Sequence, residues 1–147
     1  MKALVTGGGG FLGGAIVRRL VEKGSSVRTF QRGHYKQLDE LGVEQIRGDI
    51  SDPDAVSAAV DGCEIVFHVA AKVDPWGAYQ PFHETNVVGT ENVLTAVRSR
   101  RVPKLVYTST PSVIHSGGDL AGVDESEPSP EHFEAAYPQT KALAEQA

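Results

Sequence analysis

The sequence predicts an α/β fold with a doubly wound parallel sheet in the strand order 3-2-1-4-5. Five short apolar runs alternate with segments of helical spacing, which is typical of βαβ units with right-handed crossovers. A glycine cluster follows the first run at residues 7–10. The fourth run, Glu64–Val69, is rich in β-branched residues and nearly continuous, as in a central strand that is covered on both faces.

The first half of the chain supplies three strands and three helices. Lys2–Val5 is the first predicted strand, and the helix at Phe11–Lys23 stops at Gly24. Either Ser51 or Asp52 caps the third helix, which has Pro53 in its first turn. The remaining elements of this half are strands at Ser26–Phe30 and Val43–Arg47 and helices at Lys36–Leu41 and Pro53–Val60.

In the second half of the chain, strands and helices alternate as far as the fifth strand, and a long loop follows. After the strand at Glu64–Val69, we expect a helix near Pro81–Arg100 and a fifth strand at Lys104–Thr108. The Gly, Pro, Ser and Asp content of Thr110–Pro130 predicts a loop, and Ala135–Ala147 is again helical. Because that last pattern has no capping residue, we expect residues 1–147 to be a truncated dinucleotide-binding domain without its later strands and substrate-binding region.

Composition narrows the classes of function. The chain has 147 residues and a net charge of −5, which does not suit binding to nucleic acid. Its longest apolar stretch, Ile65–Ala71, is shorter than the roughly 20 residues of a membrane helix. The run Ala3–Val5 meets glycine at once and leaves no signal peptide, so we expect a cytoplasmic protein. Cys63 is the one cysteine, and the histidines show no metal-ligand spacing, so no metal site is predicted.

The glycine cluster predicts a phosphate-binding turn. Two registers fit the chain, one with glycines at 8, 10 and 13 and the other at 7, 10 and 13. In both, a phosphate would reach backbone N–H groups at the positive end of the first helix.

The strand ends predict which dinucleotide is bound. An acidic residue about 20 positions beyond the glycines would favour NAD, but the second strand ends in Gln31 and Arg32. The Arg32 guanidinium suits the 2′-phosphate of NADP, which leaves NAD as the second choice. Asp49 is placed to accept from the adenine amino group, and Ala70 and Ala71 have small side chains where the cofactor would pass.

A tyrosine and a lysine at helical spacing predict the reaction centre. Tyr137 and Lys141 lie four residues apart, so both leave the same helix face. A neighbouring ammonium favours the ionised form of a phenol, which allows a tyrosine to exchange protons near neutral pH. Pro138 places Tyr137 in the first turn of its helix.

Several motifs, in this order, resemble the extended short-chain dehydrogenase/reductase family, in the branch that holds 3β-hydroxysteroid dehydrogenases. They are Thr6-Gly-x-x-Gly-x-x-Gly13, Gly48-Asp49, Ala70-Ala71, Asn86-Val-Val-Gly-Thr90, Tyr107-Thr-Ser-Thr110 and Tyr137-Pro-Gln-Thr-Lys141. The resemblance implies a Rossmann fold and covers essentially the whole chain. Three further segments, Phe30-Gln-Arg-Gly33, Ala71–Gly77 and Ser109–Val113, are similar to bacterial reductases of 2-alkyl-3-oxoalkanoates.

The resemblance also implies residue roles. Tyr137 would donate the proton to a carbonyl oxygen, Lys141 would hold the nicotinamide ribose and keep the phenol acidic, and Thr110 would bond the substrate oxygen, with Ser109 as the alternative. Cofactor contacts are expected from Gly7, Gly10, Phe11, Leu12, Gly13, Arg32, Asp49, Ile50, Ala70, Ala71, Lys72, Asn86, Tyr137 and Lys141. Substrate contacts are expected from Trp76, Ser109 and Ser112, although Trp76 is equally well explained as a packing anchor and Asn86 as local support or a helix cap.

The implied function is an NAD(P)-dependent oxidoreductase of lipid metabolism that acts on a carbonyl or secondary alcohol. The expected substrate is a 2-alkyl-3-oxoalkanoate or a 3β-hydroxysteroid, and the expected assembly is a homodimer. A nucleotide-sugar epimerase or dehydratase of the same family and a non-catalytic dinucleotide sensor are the alternatives. A sensor would not need Tyr137, Lys141 and Thr110 together.

Overall fold

The computed structural model describes residues 1–115, 117–124 and 126–147. All the strands among these residues belong to one sheet. The strands are β1 (Lys2–Thr6), β2 (Ser26–Gln31), β3 (Glu44–Arg47), β4 (Ile65–His68) and β5 (Lys104–Tyr107). They pair in parallel in the order β3-β2-β1-β4-β5, which confirms the predicted fold class and strand order. The carboxyl ends of these strands therefore meet at one edge, where doubly wound sheets bind their ligands.

Helices connect successive strands. They are α1 (Phe11–Glu22), α2 (Lys36–Asp39), α3 (Pro53–Val60), α4 (Tyr79–Phe82), α5 (Gly89–Ser99) and α6 (Ala136–Glu145), with a π-helical segment at His83–Val88 and a 3-10 turn at Pro111–Ile114. Asp52 is the cap of α3, because its carboxylate accepts from the backbone N–H groups of Asp54 and Ala55. Within the described residues, no helix combines the length and the apolar character needed to cross a membrane.

The helix predicted near Pro81–Arg100 is present, as helical residues that run without a break from Tyr79 to Ser99, but it is not α-helical throughout. Regular α-helix gives way to the π-helical segment between α4 and α5. Asn86, inside that segment, is 2% exposed and bonds both the backbone of Lys72 and the hydroxyl of Thr140. A π-turn adds a residue to the helical repeat, often at functional sites, and here it accompanies these non-local bonds, which hydrophobic spacing does not reveal.

Two apolar layers cover the faces of the sheet. Strand alternation puts Ala3 and Val5 on one face and Leu4 on the other. The first layer contains Ala3, Val5, Val17, Leu20, Val27, Leu38 and Ile65. The second contains Leu4, Phe30, Ile50, Val56, Ala59, Val60, Cys63, Val66, Val93, Ala96, Val97 and Val102. Layers on both faces are what the near-continuous apolar strands require.

Arg28 joins the sheet to the end of α3. It lies within β2 and is 9% exposed. One guanidinium nitrogen donates to the carbonyls of Ala59 and Asp61 at 2.7 and 2.9 Å, and another donates to Glu44 at 2.9 Å. A cation at the carboxyl end of a helix satisfies carbonyls that have no partner within the helix. The same pairing lowers the pKa of Glu44.

Candidate active site

A cleft of about 500 Å³ opens at the carboxyl edge of the sheet. The predicted site residues that line it are Gly7, Gly10, Phe11, Leu12, Gly13, Arg32, Asp49, Ile50, Ala70, Ala71, Ser109, Tyr137 and Lys141. The structure thus brings the glycine turn, the ends of four strands and the Tyr-Lys pair to one cavity. Its volume is within the range of small-molecule sites.

The glycine turn is built around Gly7, Gly10 and Gly13. Gly7 has a φ of +70°, in the left-handed region that favours glycine, and its carbonyl accepts from the Gly10 N–H at 3.0 Å. A β-carbon on Gly13 would lie 2.2 Å from that carbonyl oxygen, so α1 approaches the turn more closely than any other residue allows. Gly10 precedes α1 and provides no side-chain cap. The first amides of α1 therefore remain available for an anion such as a phosphate.

A buried hydrogen-bond network holds the end of β4 against this turn. Thr90 donates to the Asn86 carbonyl at 2.6 Å, so the ring of His68 must donate to Thr90 through Nε2 and accept from Thr6 through Nδ1. Burial, followed by the charge of Lys141, lowers the pKa of His68 from 6.5 to about 3, which keeps the ring neutral. Thr6 also accepts from the backbone N–H groups of Val69 and Ala70, each at 3.0 Å.

That network gives His68 a structural role. It fixes the backbone that leads into Ala70 and Ala71, and a β-carbon on Gly7 would lie only 3.1 Å from Ala70. The close approach of these two neighbouring strand ends explains why Gly7 and Ala70 are both small.

Arg32 and Asp49 line the cleft just after β2 and β3. The side chain of Arg32 is exposed just beyond β2. Asp49 accepts from the backbone N–H and the hydroxyl of Ser51 at 2.9 and 2.7 Å, and these bonds lower its pKa, with a smaller contribution from Arg32. Asp49 is therefore an ionised acceptor at neutral pH, beside a cation that can bind a phosphate.

Tyr137 and Lys141 leave α6 toward the same cleft. Lys141 is only 3% exposed, and its ammonium donates to the Thr108 carbonyl at 2.6 Å and lies 4.1 Å from the centroid of the Tyr107 ring. Burial lowers the pKa of Lys141 from 10.5 to about 8, although Glu145 opposes the shift. The lysine is thus mostly protonated at pH 7 and brings a positive charge to the wall that Tyr137 shares.

The two candidate hydroxyls after β5 have different surroundings. Thr110 precedes the 3-10 turn, where its Oγ1 accepts from the Ser112 N–H at 3.3 Å and donates to the Ser112 hydroxyl at 3.2 Å. Neither Thr110 nor Ser112 lines the main cleft. Ser109 does line it, and its buried hydroxyl has no hydrogen-bond partner among the described residues.

Four other residues that were predicted to contact the cofactor or the substrate do not line the main cleft. The structure puts Asn86 behind the cleft, and both ends of its amide are satisfied by protein groups. Lys72 lines a neighbouring polar pocket together with Arg32 and pairs with Asp74. Ser112 lines a separate pocket with His115 and His132. Trp76 is 83% exposed, which excludes a buried packing anchor in this structure.

Eight lining residues are not among the contacts that the sequence predicts. They are Phe30, Gln31, Tyr35, Gly48, Val69, Val73, Thr85 and Thr108. Most of them are next in sequence to a residue that was predicted to contact the ligand, because residues adjacent at a strand end reach the same cleft. Position after a strand was therefore a usable signal for Gln31 and Thr108. Tyr35 and Thr85 reach the cleft through the packing of their loop and helix.

No group of three or more His, Cys, Asp and Glu side chains in the described ranges is arranged to hold a metal ion. The donors that do converge on the cleft are backbone amides, hydroxyls, a guanidinium and an ammonium. That set suits an anionic ligand with hydroxyl groups.

Comparison with known proteins places these features in context. Residues 4–147 match the sequence profile of the 3-beta hydroxysteroid dehydrogenase/isomerase family. The chain is 53% identical to a 2-alkyl-3-oxoalkanoate reductase of Stenotrophomonas maltophilia, covering 99% of this chain and 45% of the relative. It is 47% identical to a 2-alkyl-3-oxoalkanoate reductase of Shewanella oneidensis, covering 97% and 37%. The chain thus spans less than half the length of these relatives.

A solved structure extends the comparison to the fold. The UDP-glucose 4-epimerase of Thermus thermophilus, solved in complex with NAD, superposes with a TM-score of 0.84 at 31% identity. The match covers 99% of this chain and 49% of the epimerase chain. The epimerase therefore shares the architecture seen here.

Proposed function

The chain belongs to the 3-beta hydroxysteroid dehydrogenase/isomerase family, and from that premise we propose that it forms the cofactor-binding part of an NADP-dependent reductase of a 2-alkyl-3-oxoalkanoate. The observation that carries the proposal is the shared cleft. Tyr137 and Lys141 line the same cavity as the Gly7–Gly13 turn. The names of the two reductase relatives supply the substrate class.

The residues of the cleft fit a dinucleotide. The close packing of Gly13 against Gly7 brings the amino end of α1 up to the glycine turn, and a pyrophosphate would match the first amides of that helix, which no side chain caps. Arg32 favours the 2′-phosphate of NADP over NAD, and Asp49 would accept from the adenine amino group. NADPH, when bound, supplies the hydride that reduces the keto carbon.

The protein groups supply the proton. During the reduction the double bond between the keto carbon and its oxygen becomes a single bond, and the oxygen would take the proton of the Tyr137 hydroxyl. The tyrosine is left as a phenolate, which the Lys141 ammonium stabilises until water returns a proton. The product is a secondary alcohol. Run backwards, the same groups would oxidise a hydroxyl, as on a 3β-hydroxysteroid.

One hydroxyl after β5 would donate to the substrate oxygen. The family pattern assigns this role to Thr110, whose proton is here engaged by Ser112. Ser109 is the alternative, since this residue lines the cleft and its buried hydroxyl lacks a partner within the described ranges. Thr110→Val and Ser109→Ala separate the two, because the catalytic position should lower kcat by at least tenfold while the other leaves kcat nearly unchanged.

The decisive experiment uses full-length protein that carries this chain. With NADPH and a 2-alkyl-3-oxoalkanoate, the absorbance of the reduced nicotinamide should fall. Tyr137→Phe should lower kcat by about 10²–10⁴-fold with an unchanged Kd for NADPH. Tyr79→Phe, on α4 outside the cleft, is the matched control. Turnover by Tyr137→Phe within tenfold of the unsubstituted protein would contradict the proton role.

An epimerase or dehydratase is the second candidate, because the Thermus thermophilus epimerase shares the fold. Conversion of a nucleotide sugar without net consumption of NADPH would select it over the reductase. A dinucleotide sensor would bind NADPH and turn over neither substrate.

We also propose a compartment and an oligomeric state for the enzyme. We expect it to act in the cytoplasm, where nicotinamide cofactors are available, on a small lipid-derived substrate. We expect the full-length protein to form a homodimer, which sedimentation would test.

A further inference from the structure

We propose that Tyr107 is a positioning residue for the proposed reduction, because the face of its ring holds the ammonium of Lys141 at the wall of the cleft and favours the charged form. The effect on turnover rests on the proposed function, whereas the contact between the two side chains can be tested without cofactor or substrate. Tyr107 itself takes no part in the proton transfer.

The first observation is the place of the ammonium over the ring. Lys141 Nζ lies 4.1 Å from the centroid of the Tyr107 ring. A cation within about 6 Å of an aromatic centroid is attracted by the negative face of the ring, most strongly where water is excluded. Lys141 is 3% exposed, so the attraction acts in such a place.

The ring also holds the ammonium without using one of its donors. An ammonium has three N–H groups, and the Thr108 carbonyl accepts from one of them at 2.6 Å. That is the one hydrogen bond of Lys141 Nζ within the described residues. The ring face therefore adds attraction and leaves N–H groups for the hydroxyls of a ligand.

The second observation is that the fold fixes the ring. Tyr107 ends β5, in register with His68 at the end of β4. The two ring centroids lie 5.7 Å apart, with 43° between the planes. The His68 ring is itself held by the hydroxyls of Thr6 and Thr90. The tyrosine ring is thus packed against a fixed side chain and is in place before any ligand binds.

The charges around Lys141 leave the ring as a main source of attraction. The titratable groups near it are His68 on β4, Tyr107 on β5, and Tyr137 and Glu145 on α6. His68 is neutral, because burial and then the charge of Lys141 lower its pKa to about 3. Glu145 is exposed, and no carboxylate among the described residues forms a salt bridge with the ammonium. At contact distance, burial is therefore offset by one carbonyl and the ring face.

The hydroxyl of Tyr107 is not needed for this role. It is buried and has no hydrogen-bond partner in the part of the chain that the structure describes. Burial raises the pKa of Tyr107 to about 12, so this phenol keeps its proton near neutral pH and leaves proton transfer to Tyr137. Phenylalanine should therefore replace Tyr107 without loss.

The test follows Lys141 by NMR in full-length protein whose lysines carry carbon-13 at the ε-carbon, without cofactor. Lys141→Met identifies the signal. The ε protons should lie upfield, because of the ring current of Tyr107, and the signal should titrate with a midpoint at about pH 8. Tyr107→Phe should keep both features. Tyr107→Leu should lose the upfield shift and lower the pKa of Lys141 by about one unit, because nothing replaces the ring face.

A trifluorinated phenylalanine at position 107 separates electrostatics from packing. Its fluorines withdraw electrons from the ring face but keep the shape of the ring and its ring current. The upfield shift should persist while the pKa of Lys141 falls as in Tyr107→Leu. Because this residue preserves the packing, it decides the question even if Tyr107→Leu does not fold.

Turnover connects the contact with the reaction. At pH 8, kcat/KM for NADPH should fall about fivefold in Tyr107→Leu and in the trifluorinated variant, because the charged fraction of Lys141 drops from about one half to about one tenth. Tyr107→Phe should restore kcat/KM. Tyr79→Leu, on α4 outside the cleft, is the matched control and should change neither the pKa of Lys141 nor kcat/KM.

The outcomes separate this role from the proposed function. An unchanged pKa of Lys141 in both the leucine and the trifluorinated variants would overturn the contact. A lowered pKa with unchanged kcat/KM would overturn the positioning role and leave the proposed function standing. If the unsubstituted protein reduces no 2-alkyl-3-oxoalkanoate, the proposed function fails, and the titration of Lys141 still decides the contact.

Discussion

Lys141→Met is expected to make the protein more stable and catalytically inactive. The ammonium of Lys141 is almost fully buried, and its pKa falls from 10.5 to about 8. At about 1.4 kcal/mol for each pKa unit, that fall corresponds to at most roughly 3.4 kcal/mol of penalty on the charged form. Because the ammonium also lines an open cleft, solvent reduces the penalty. Loss of the hydrogen bond to the Thr108 carbonyl offsets about 1 kcal/mol of the gain, so we expect the free energy of unfolding at pH 7 to rise by about 1–2 kcal/mol in the variant.

The dependence on pH provides the sharper test. Between pH 8 and 10.5 the unfolded lysine keeps its proton while the folded one releases it, so the stability of the unsubstituted protein rises across this window. The advantage of Lys141→Met should therefore be complete below pH 8 and vanish near pH 10.5. Lys104→Met, at an exposed position, should change stability by less than about 0.5 kcal/mol at every pH.

The assay is urea unfolding of both proteins, followed by circular dichroism at intervals from pH 7 to 10.5. Taking the difference between variant and unsubstituted protein cancels the titration of other groups. A variant that is less stable at pH 7, or a difference that does not shrink with pH, would refute the assignment of a desolvated ammonium. Such a trade of stability for activity is common at functional sites.

Two further substitutions test the fold beneath the cleft. Arg28→Met should lower the free energy of unfolding by about 2–3 kcal/mol, because it leaves the carbonyls at the end of α3 and the Glu44 carboxylate without their donor. The control is Arg19→Met, whose partner Glu22 is exposed and which should change the free energy of unfolding by less than about 0.5 kcal/mol. Equal effects of the two substitutions in urea unfolding would contradict the capping role of Arg28. Gly13→Ala should lower the affinity for NADPH at least tenfold, because its β-carbon would lie 2.2 Å from the Gly7 carbonyl oxygen. The control is Gly14→Ala, whose β-carbon would lie 3.4 Å from the nearest atom and which should bind NADPH with an unchanged Kd. Similar dissociation constants for the two variants would show that the turn tolerates a side chain at Gly13.

The sequence predicted those site residues whose position follows from a short motif. Gly7, Gly10 and Gly13 were predictable because their spacing leaves few other uses, and Tyr137 and Lys141 because helical geometry puts residues four apart on one face. Their roles remain predictions, although the structure brings them into one cleft. The π-helical segment around Asn86 was not predictable, because its contacts with Lys72 and Thr140 are remote in sequence.

The order of apolar and glycine-rich segments determined, by itself, the fold class, the strand order and the edge of the sheet where ligands bind. These depend on local periodicity and on the handedness of βαβ units, which neighbouring residues specify. The tertiary structure alone decided which polar atoms of that edge are available. Tyr35 orients Gln45, which in turn orients the amide of Gln31. Lys141 has a low pKa because the fold buries its ammonium. Hydrogen-bond direction and desolvation depend on residues that meet through folding, so the linear order of the chain does not specify them.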